Sequence, residues 1–332
     1  MATMYDEAFI ERIRCALHAI LTQWDLSEAT ELRLLTLSEN VTFLAKDPVR
    51  QNPVILRVHR PNYHSRTEIE SELAWINALR TDNILDTPAL VPLRVGGYIA
   101  SVPDELQTRH VVGFEFIEGK APDVDAQLAA SFELLGQTSA KLHGHAQNWR
   151  KPAYFSRKTW DFESAFGVDP LWGDWRAAPG LTPEGQATLE ELCMVLKDKL
   201  DNYGKISSRY GLIHADLRLA NLILKGRDLV VIDFDDCGSS WFVYDFASAI
   251  SFHELSPMIP ALQEAWLKGY KSLRPLTAED EAMLPTFILF RRLLLTAWIA
   301  SHAETPTAAE VGMADYTEGT ITLARRYLET NI

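Results

Sequence analysis

Apolar residues recur every three or four positions over 5–23, at Phe9, Ile13, Leu17 and Ile20, which lines one face of a helix. The pattern then changes to short apolar runs of strand type at 32–37, 41–45 and 54–59. Ser65 followed three positions later by Glu68 reads as a capping box, opening a helix that runs to about Arg80. Two more strand-like runs follow, at 93–100 and 110–117. Beyond these the periodicity is mostly helical, with candidate helices at 124–147, 183–202, 241–252, 257–272, 277–300 and 307–329. The Trp-rich, Pro- and Gly-punctuated stretch 150–180 reads as ordered but irregular. The pattern predicts an α+β protein of two parts: a small, strand-rich N-terminal lobe over 1–114, a linker at 115–121, and a larger, mostly helical lobe over 122–332.

One interruption of the helical region carries chemistry. His214-Ala215-Asp216 is followed by Asn221, and Asp233 comes twelve residues after Asn221. Short apolar runs at 222–224 and 228–232 flank Lys225, Gly226 and Arg227, so a two-stranded ribbon would bring Asn221 and Asp233 to the same end. One carboxylate, Asp216, then orients a hydroxyl nucleophile, while the amide of Asn221 and the carboxylate of Asp233 hold magnesium on a nucleotide. Phosphoryl transfer needs little else in covalent terms, because catalysis there is mostly positioning and charge neutralisation. A lone His-x-Asp would be a turn with a solvated carboxylate; the full spacing with its strands is far rarer.

At these residues the chain resembles the aminoglycoside phosphotransferase and choline kinase superfamily, relatives of the eukaryotic protein kinases. His214-Ala215-Asp216 stands where protein kinases carry His-Arg-Asp, and Asp233-Phe234-Asp235 where they carry Asp-Phe-Gly. The block 232–247 is similar to bacterial homoserine-kinase-like and stress-response-kinase-like phosphotransferases. The resemblance implies a bilobal protein-kinase-like fold, an antiparallel sheet in the small lobe, and ATP and Mg²⁺ as cofactors. It implies that Asp216 is the catalytic residue, that His214 scaffolds its loop, and that Asp245 accepts backbone hydrogen bonds from that loop. In the small lobe it implies a phosphate-binding cation on a central strand, here Arg57 where the superfamily usually has Lys, with His59 as second choice. Glu68 and Glu72 lie one helical turn apart and can share a face; Glu72 is preferred as the carboxylate that orients it, because its Glu-Leu-Ala-Trp-Ile context resembles the family's helix, and Glu68 reads equally well as a cap. The phosphate-covering loop would be 37–41, glycine-free, with Ser38 or Asn40 touching phosphate. Backbone groups of Glu115, Phe116 and Ile117 would meet adenine.

Other residues have weaker claims. Arg218 could neutralise charge on the transferring phosphoryl group, or make a surface ion pair. Asp235 and Asp236 could bind the substrate's cationic group or a second metal, or stay solvated. Trp172, Asp174 and Trp175 could wall a pocket for an amine, although aromatic core is the favoured reading. His143 and His145 sit at the end of a helical pattern, where their spacing does not suit a shared metal, so core or capping roles are expected.

Composition narrows the partners. The 332-residue chain is 47% apolar and 23% charged, an ordinary globular balance. A formal net charge of -13 argues against nucleic acid or an anionic membrane and leans towards a cationic substrate. Cys15, Cys193 and Cys237 make no metal-ligand pattern or disulfide framework. With no export signal at the N-terminus, a cytoplasmic location is expected. The apolar stretch 287–300 is interrupted by Arg291 and Arg292 and reads as a buried helix too short to span a bilayer. The expected acceptor is the hydroxyl of a small amine or amino acid of the homoserine, hydroxylysine or choline kind. The alternatives are a protein Ser/Thr kinase of the stress-response type and a nucleotide-binding pseudokinase.

Overall fold

The computed structural model describes residues 7–37, 40–105, 107–122, 128–225 and 228–330. The chain divides into two compact units. One holds residues 1–119 with 151–156 and 304–306; the other holds 120–150, 157–303 and 307–332.

In the first unit, α1 (Glu7–His18) precedes three strands, β1 (Glu31–Leu37), β2 (Val41–Lys46) and β3 (Val54–Val58). Helix α2 (Arg66–Thr81) follows, then β4 (Leu90–Val91), β5 (Ile99–Asp104) and β6 (Gln107–Glu115). The sheet is antiparallel throughout, in the order β1-β2-β3-β6-β4, and β5 also pairs with β6. Its core joins Phe9, Ile13 and Leu17 of α1 to Phe43, Leu56, Val102 and Val111 of the strands, so the helical face and the alternating strand faces bury each other. The Ser65–Glu68 capping box is present at the start of α2. The run 93–100 is not one strand. Leu93 and Gly97 close a turn through the Leu93 amide and the Gly97 carbonyl (2.8 Å), and pairing resumes only at Ile99.

The second unit is largely helical. It contains α3 (Leu128–Asn148), α4 (Phe162–Phe166), α5 (Pro183–Tyr203), and then β7 (Tyr210–Ile213), β8 (Leu222–Lys225), β9 (Asp228–Val231) and β10 (Gly238–Trp241). After these come α6 (Tyr244–Ala249), α7 (Ile259–Lys271), α8 (Ala278–Ala282), α9 (Leu284–Ser301), α10 (Pro306–Glu310) and α11 (Met313–Thr330). The helices expected at 277–300 and 307–329 are each broken in two, and the one expected at 241–252 shortens to α6. Residues 238–241 form a strand on β7, which alternation alone did not mark because Gly238, Ser239 and Ser240 are small or polar. The ribbon β8–β9 is antiparallel, with Leu222 opposite Val231 and Lys225 opposite Asp228.

Helices α3 and α7 meet at glycines. A Cβ on Gly136 would collide with the Trp266 carbonyl, and one on Gly269 with the Glu133 carbonyl, so the backbones touch where side chains are missing. Helix α9 has 18 residues and mean hydropathy 1.3, enough by length and composition to cross a membrane, yet 83% of it is buried in the protein. It is the central buried helix of this unit, longer than the apolar run 287–300 suggested.

Candidate active site

The candidate site of the second unit has a left-handed residue in each of two loops, one before and one after the β8–β9 ribbon. Ala215 has φ 67° and Asp233 has φ 60°. Asp tolerates that region; alanine pays for it in strain, so the surroundings must hold Ala215 in place. Asp245, at the start of α6 and fully buried, does so. Its carboxylate accepts from the Ala215 amide (2.8 Å), more weakly from the His214 amide (3.4 Å), and lies 2.9 Å from His143 Nε2. His143 Nδ1 in turn meets the Tyr270 hydroxyl at 3.0 Å. Burial holds His143 below the ordinary histidine range, despite the opposing pull of Asp245. The Leu217 amide donates to Ser248 Oγ (3.2 Å), a second tie from α6 to the loop.

His214 is completely buried and braces the loop from within. Its Nδ1 accepts from the Asp216 amide and its Nε2 faces the Ile232 carbonyl, each at 3.2 Å, so the bonds assign a neutral ring carrying its proton on Nε2. The ring packs on Phe234 with centroids 4.6 Å apart.

Asp216 is 8% exposed, and three side chains converge on its carboxylate. Arg218 Nε donates to both oxygens (3.0 and 3.1 Å), Arg291 NH2 to Oδ1 (2.8 Å) and Asn221 Nδ2 to Oδ2 (2.8 Å). Burial favours the neutral acid, but the Arg218 and Arg291 guanidiniums outweigh it and hold the carboxyl below its ordinary range. Asn221 Nδ2 also donates to the Asp216 carbonyl (2.8 Å), and both bonds turn the amide so that Oδ1 faces away from Asp216. The Asn221 carbonyl accepts from the Ile232 amide (2.9 Å), which sets Asp233, exposed, one residue beyond that link. One amide oxygen and one exposed carboxylate suit a hard divalent ion that completes its shell with water and phosphate oxygens. Among the described residues no cluster of three or more His, Cys, Asp or Glu side chains offers an all-protein cage instead.

The loop after Asp233 is clamped through its backbone. Arg157 donates to the Asp235 carbonyl and, at 2.7 Å, to the Cys237 carbonyl; Trp160 Nε1 donates to the Asp236 carbonyl at 2.8 Å. Asp235 is buried, and Asp236 keeps part of its surface. The two rings of the possible pocket wall take the core positions that are the favoured reading of the sequence. Trp172 and Trp175 are 3% and 1% exposed and belong to the interior. Trp172 lies 5.0 Å from Trp160 and 5.1 Å from the Arg291 guanidinium, while Asp174 caps the turn 175–177 and pairs with Arg176 at the surface. Aromatic area here was better used against neighbouring rings than left open. His145 is buried and stacks on Trp149 (5.9 Å).

In the first unit, Arg57 on β3 and Glu72 on α2 are both buried. Arg57 NH2 donates to the two carboxylate oxygens at 2.8 and 2.7 Å, and the guanidinium lies 5.1 Å from the Phe114 ring centroid. Glu68 is used by the cap instead. His59 is buried. Asn40 is tied back through its side-chain oxygen, which accepts from the Arg60 amide (3.2 Å); Ser38 lies outside the described residues. The amides of Glu115 and Phe116 donate to the carbonyls of Ala89 (2.8 Å) and Pro53 (3.1 Å), and the Glu115 side chain pairs with Arg50. Those two amide donors are therefore spent within the sheet, a correction to their expected role towards adenine.

Arg291 is the site residue that sequence reasoning missed. Its signal was an arginine inside an apolar helix, since a buried charge needs a partner, but nothing local names a partner 75 positions away.

Comparison with known proteins gives the family of the chain. The phosphotransferase enzyme family (APH) matches residues 32–276. A solved structure of a microcompartment-associated aminopropanol kinase is 45% identical, covers 96% of this chain and 98% of its own, and superposes with a TM-score of 0.88. The amicoumacin kinase of Bacillus subtilis is 24% identical over 80% of this chain and 78% of its own length. A homoserine kinase of Gluconobacter oxydans is 27% identical over 80% and 82%. The chain belongs to the APH phosphotransferase enzyme family, and is a small-molecule kinase of protein-kinase-like fold that uses a hydroxyl acceptor.

Proposed function

We propose that the chain is an ATP- and Mg²⁺-dependent kinase that phosphorylates the hydroxyl of a small amino alcohol of the aminopropanol kind. The observation that carries this reading is the 45% identity to the aminopropanol kinase along nearly the whole of both chains. The acidic net charge of -13 suits a protonated amine as acceptor.

Asp216 orients the acceptor hydroxyl. Its oxygen forms the new bond to the γ-phosphorus as the bond to the β–γ bridging oxygen breaks, giving a phosphate monoester and ADP, and the hydroxyl proton leaves by way of Asp216. Asn221 Oδ1 and Asp233 would hold the divalent ion, which would supply neutralisation of phosphate charge. Arg57, aligned by Glu72, is the phosphate-binding cation of the first unit, and Arg218, which rests on Asp216, is the cation for charge on the transferring group. The backbone of 115–117 is the segment for adenine, with the Glu115 and Phe116 amides already used within the first unit.

The test is ADP release from Mg²⁺-ATP against aminopropanol, ethanolamine, choline, homoserine, sugars and a generic protein, beside Asp216→Ala. Turnover dependent on an amino alcohol, lost on chelation and reduced to a small residual rate in Asp216→Ala, is expected. Equal turnover by Asp216→Ala, or turnover on none of these while Mg²⁺-ATP binds, would overturn the reading.

A further inference from the structure

Helix α9 buries two consecutive arginines, and they serve different ends. Arg292 is closed into a local knot, donating to Glu254 (2.7 Å), Thr320 Oγ1 (2.8 Å) and the Tyr316 carbonyl (2.8 Å). Arg291 reaches the catalytic loop. Its NH2 meets Asp216 Oδ1 at 2.8 Å, while NH1 and Nε donate to the Tyr244 hydroxyl (3.0 Å) and Ser251 Oγ (3.1 Å). The guanidinium lies 5.1 Å from the Trp172 centroid and 5.8 Å from that of Tyr244, so two aromatic rings and two hydroxyls hold it beside Asp216. The carboxylate it hydrogen-bonds is that of Asp216.

Arg218 bonds the same carboxylate under different conditions. Its side chain is 31% exposed against 2% for Arg291, and it rests near Phe252 at 5.6 Å. One cation on Asp216 is built into the interior; the other is partly exposed, where exchanging partners costs less desolvation.

We infer that Arg291 is a positioning residue for phosphoryl transfer: it fixes Asp216 from the buried side and balances its charge, leaving Arg218 free to turn from Asp216 to the transferring phosphoryl group. The inference rests on the reading of Asp216 as the hydroxyl-orienting residue. Trp172 and Tyr244 then act through Arg291, by holding its guanidinium plane, and do not contact substrate.

A double-mutant cycle on the full chain tests this, with the best acceptor of the panel above. Arg291→Met lowers kcat by roughly 100-fold, the scale of a small misplacement of a reacting group, with KM for ATP changed by less than about twofold. In an Asp216→Ala background the same substitution adds less than about threefold, because residues acting as one unit are not additive. Arg291→Lys keeps the charge but loses the fork, and recovers only part of kcat. Should Arg291→Met fail to fold, Arg291→Lys carries the same cycle with its Tm measured alongside. Losses that multiply between Asp216 and Arg291, or full kcat in Arg291→Lys, would overturn the inference while the kinase reading stands. No acceptor-dependent turnover by the parent chain would overturn both.

Discussion

Asp245→Ala removes the group on which the catalytic turn hangs. Asp245 is fully buried and takes two strong hydrogen bonds, from the Ala215 amide at 2.8 Å and from His143 at 2.9 Å, with a weaker one from the His214 amide. Alanine strands both strong donors in the interior. Each buried group left unsatisfied costs roughly 1–3 kcal/mol, so the loss should be about 4 kcal/mol. For a cooperative unit of this size that lowers Tm by roughly 10 °C. The effect on turnover should be larger in proportion. Ala215 holds φ 67° against its own preference, and strain of order 1–3 kcal/mol is released when the Asp245 bond goes, letting the turn relax and Asp216 move. A kcat lowered by roughly 100-fold is expected even in the fraction that stays folded. Asp245→Asn is the internal control: its side-chain oxygen still accepts from Ala215, and His143 can shift its proton towards Tyr270, so about half the stability loss is expected. Thermal unfolding by circular dichroism and single-acceptor kinetics below Tm measure the two effects. A Tm for Asp245→Ala within about 2 °C of the parent would refute the claim that this carboxylate supports the loop.

Three further outcomes follow from buried contacts. Arg57→Met or Glu72→Gln alone should cost roughly 3–5 kcal/mol because each leaves a buried charge without its partner, whereas the double variant should lose much less than the sum; urea midpoints decide, and additive losses would count against the pair. Gly269→Ala should destabilise the second unit by about 3 kcal/mol or prevent its folding, since the new Cβ meets the Glu133 carbonyl in α3; a Tm matching the parent would show that the helices separate cheaply. Burial raises the Asp104 carboxyl, but Arg109 and Arg12 outweigh it and the group titrates below its ordinary range, so its contribution is complete above about pH 4 and fades as pH falls through the folded value. Asp104→Asn should therefore be less stable than the parent at pH 7, with the gap narrowing on acidification; a gap independent of pH would assign the loss to packing.

Much of this protein could be read locally. The capping box at Ser65, the strands of the first sheet and the β8–β9 ribbon depend on neighbours a few positions apart, so their patterns survive in one dimension. The meeting of Asp216 and Asn221, and the link from Asn221 to Ile232 beside Asp233, also follow from one turn and one ribbon. The preference for Glu72 over Glu68 came from the resemblance of the sequence around it to the family's helix; Arg57 bonds Glu72, and Glu68 closes the cap.

What tertiary structure decided are the pairings that span the chain. Arg291 meets Asp216 across 75 positions and His143 meets Asp245 across 102, and in neither case does the sequence around one partner point to the other. Trp172 offered the same kind of aromatic surface for a ligand or for the interior, and only the placement of α9 shows that it faces an arginine. The strand at 238–241 exists because β7 supplies its hydrogen bonds, not because its own residues favour it. Local propensity and spacing are properties of a segment; burial, and therefore the worth of a charge or a ring, belongs to whatever the fold brings beside it.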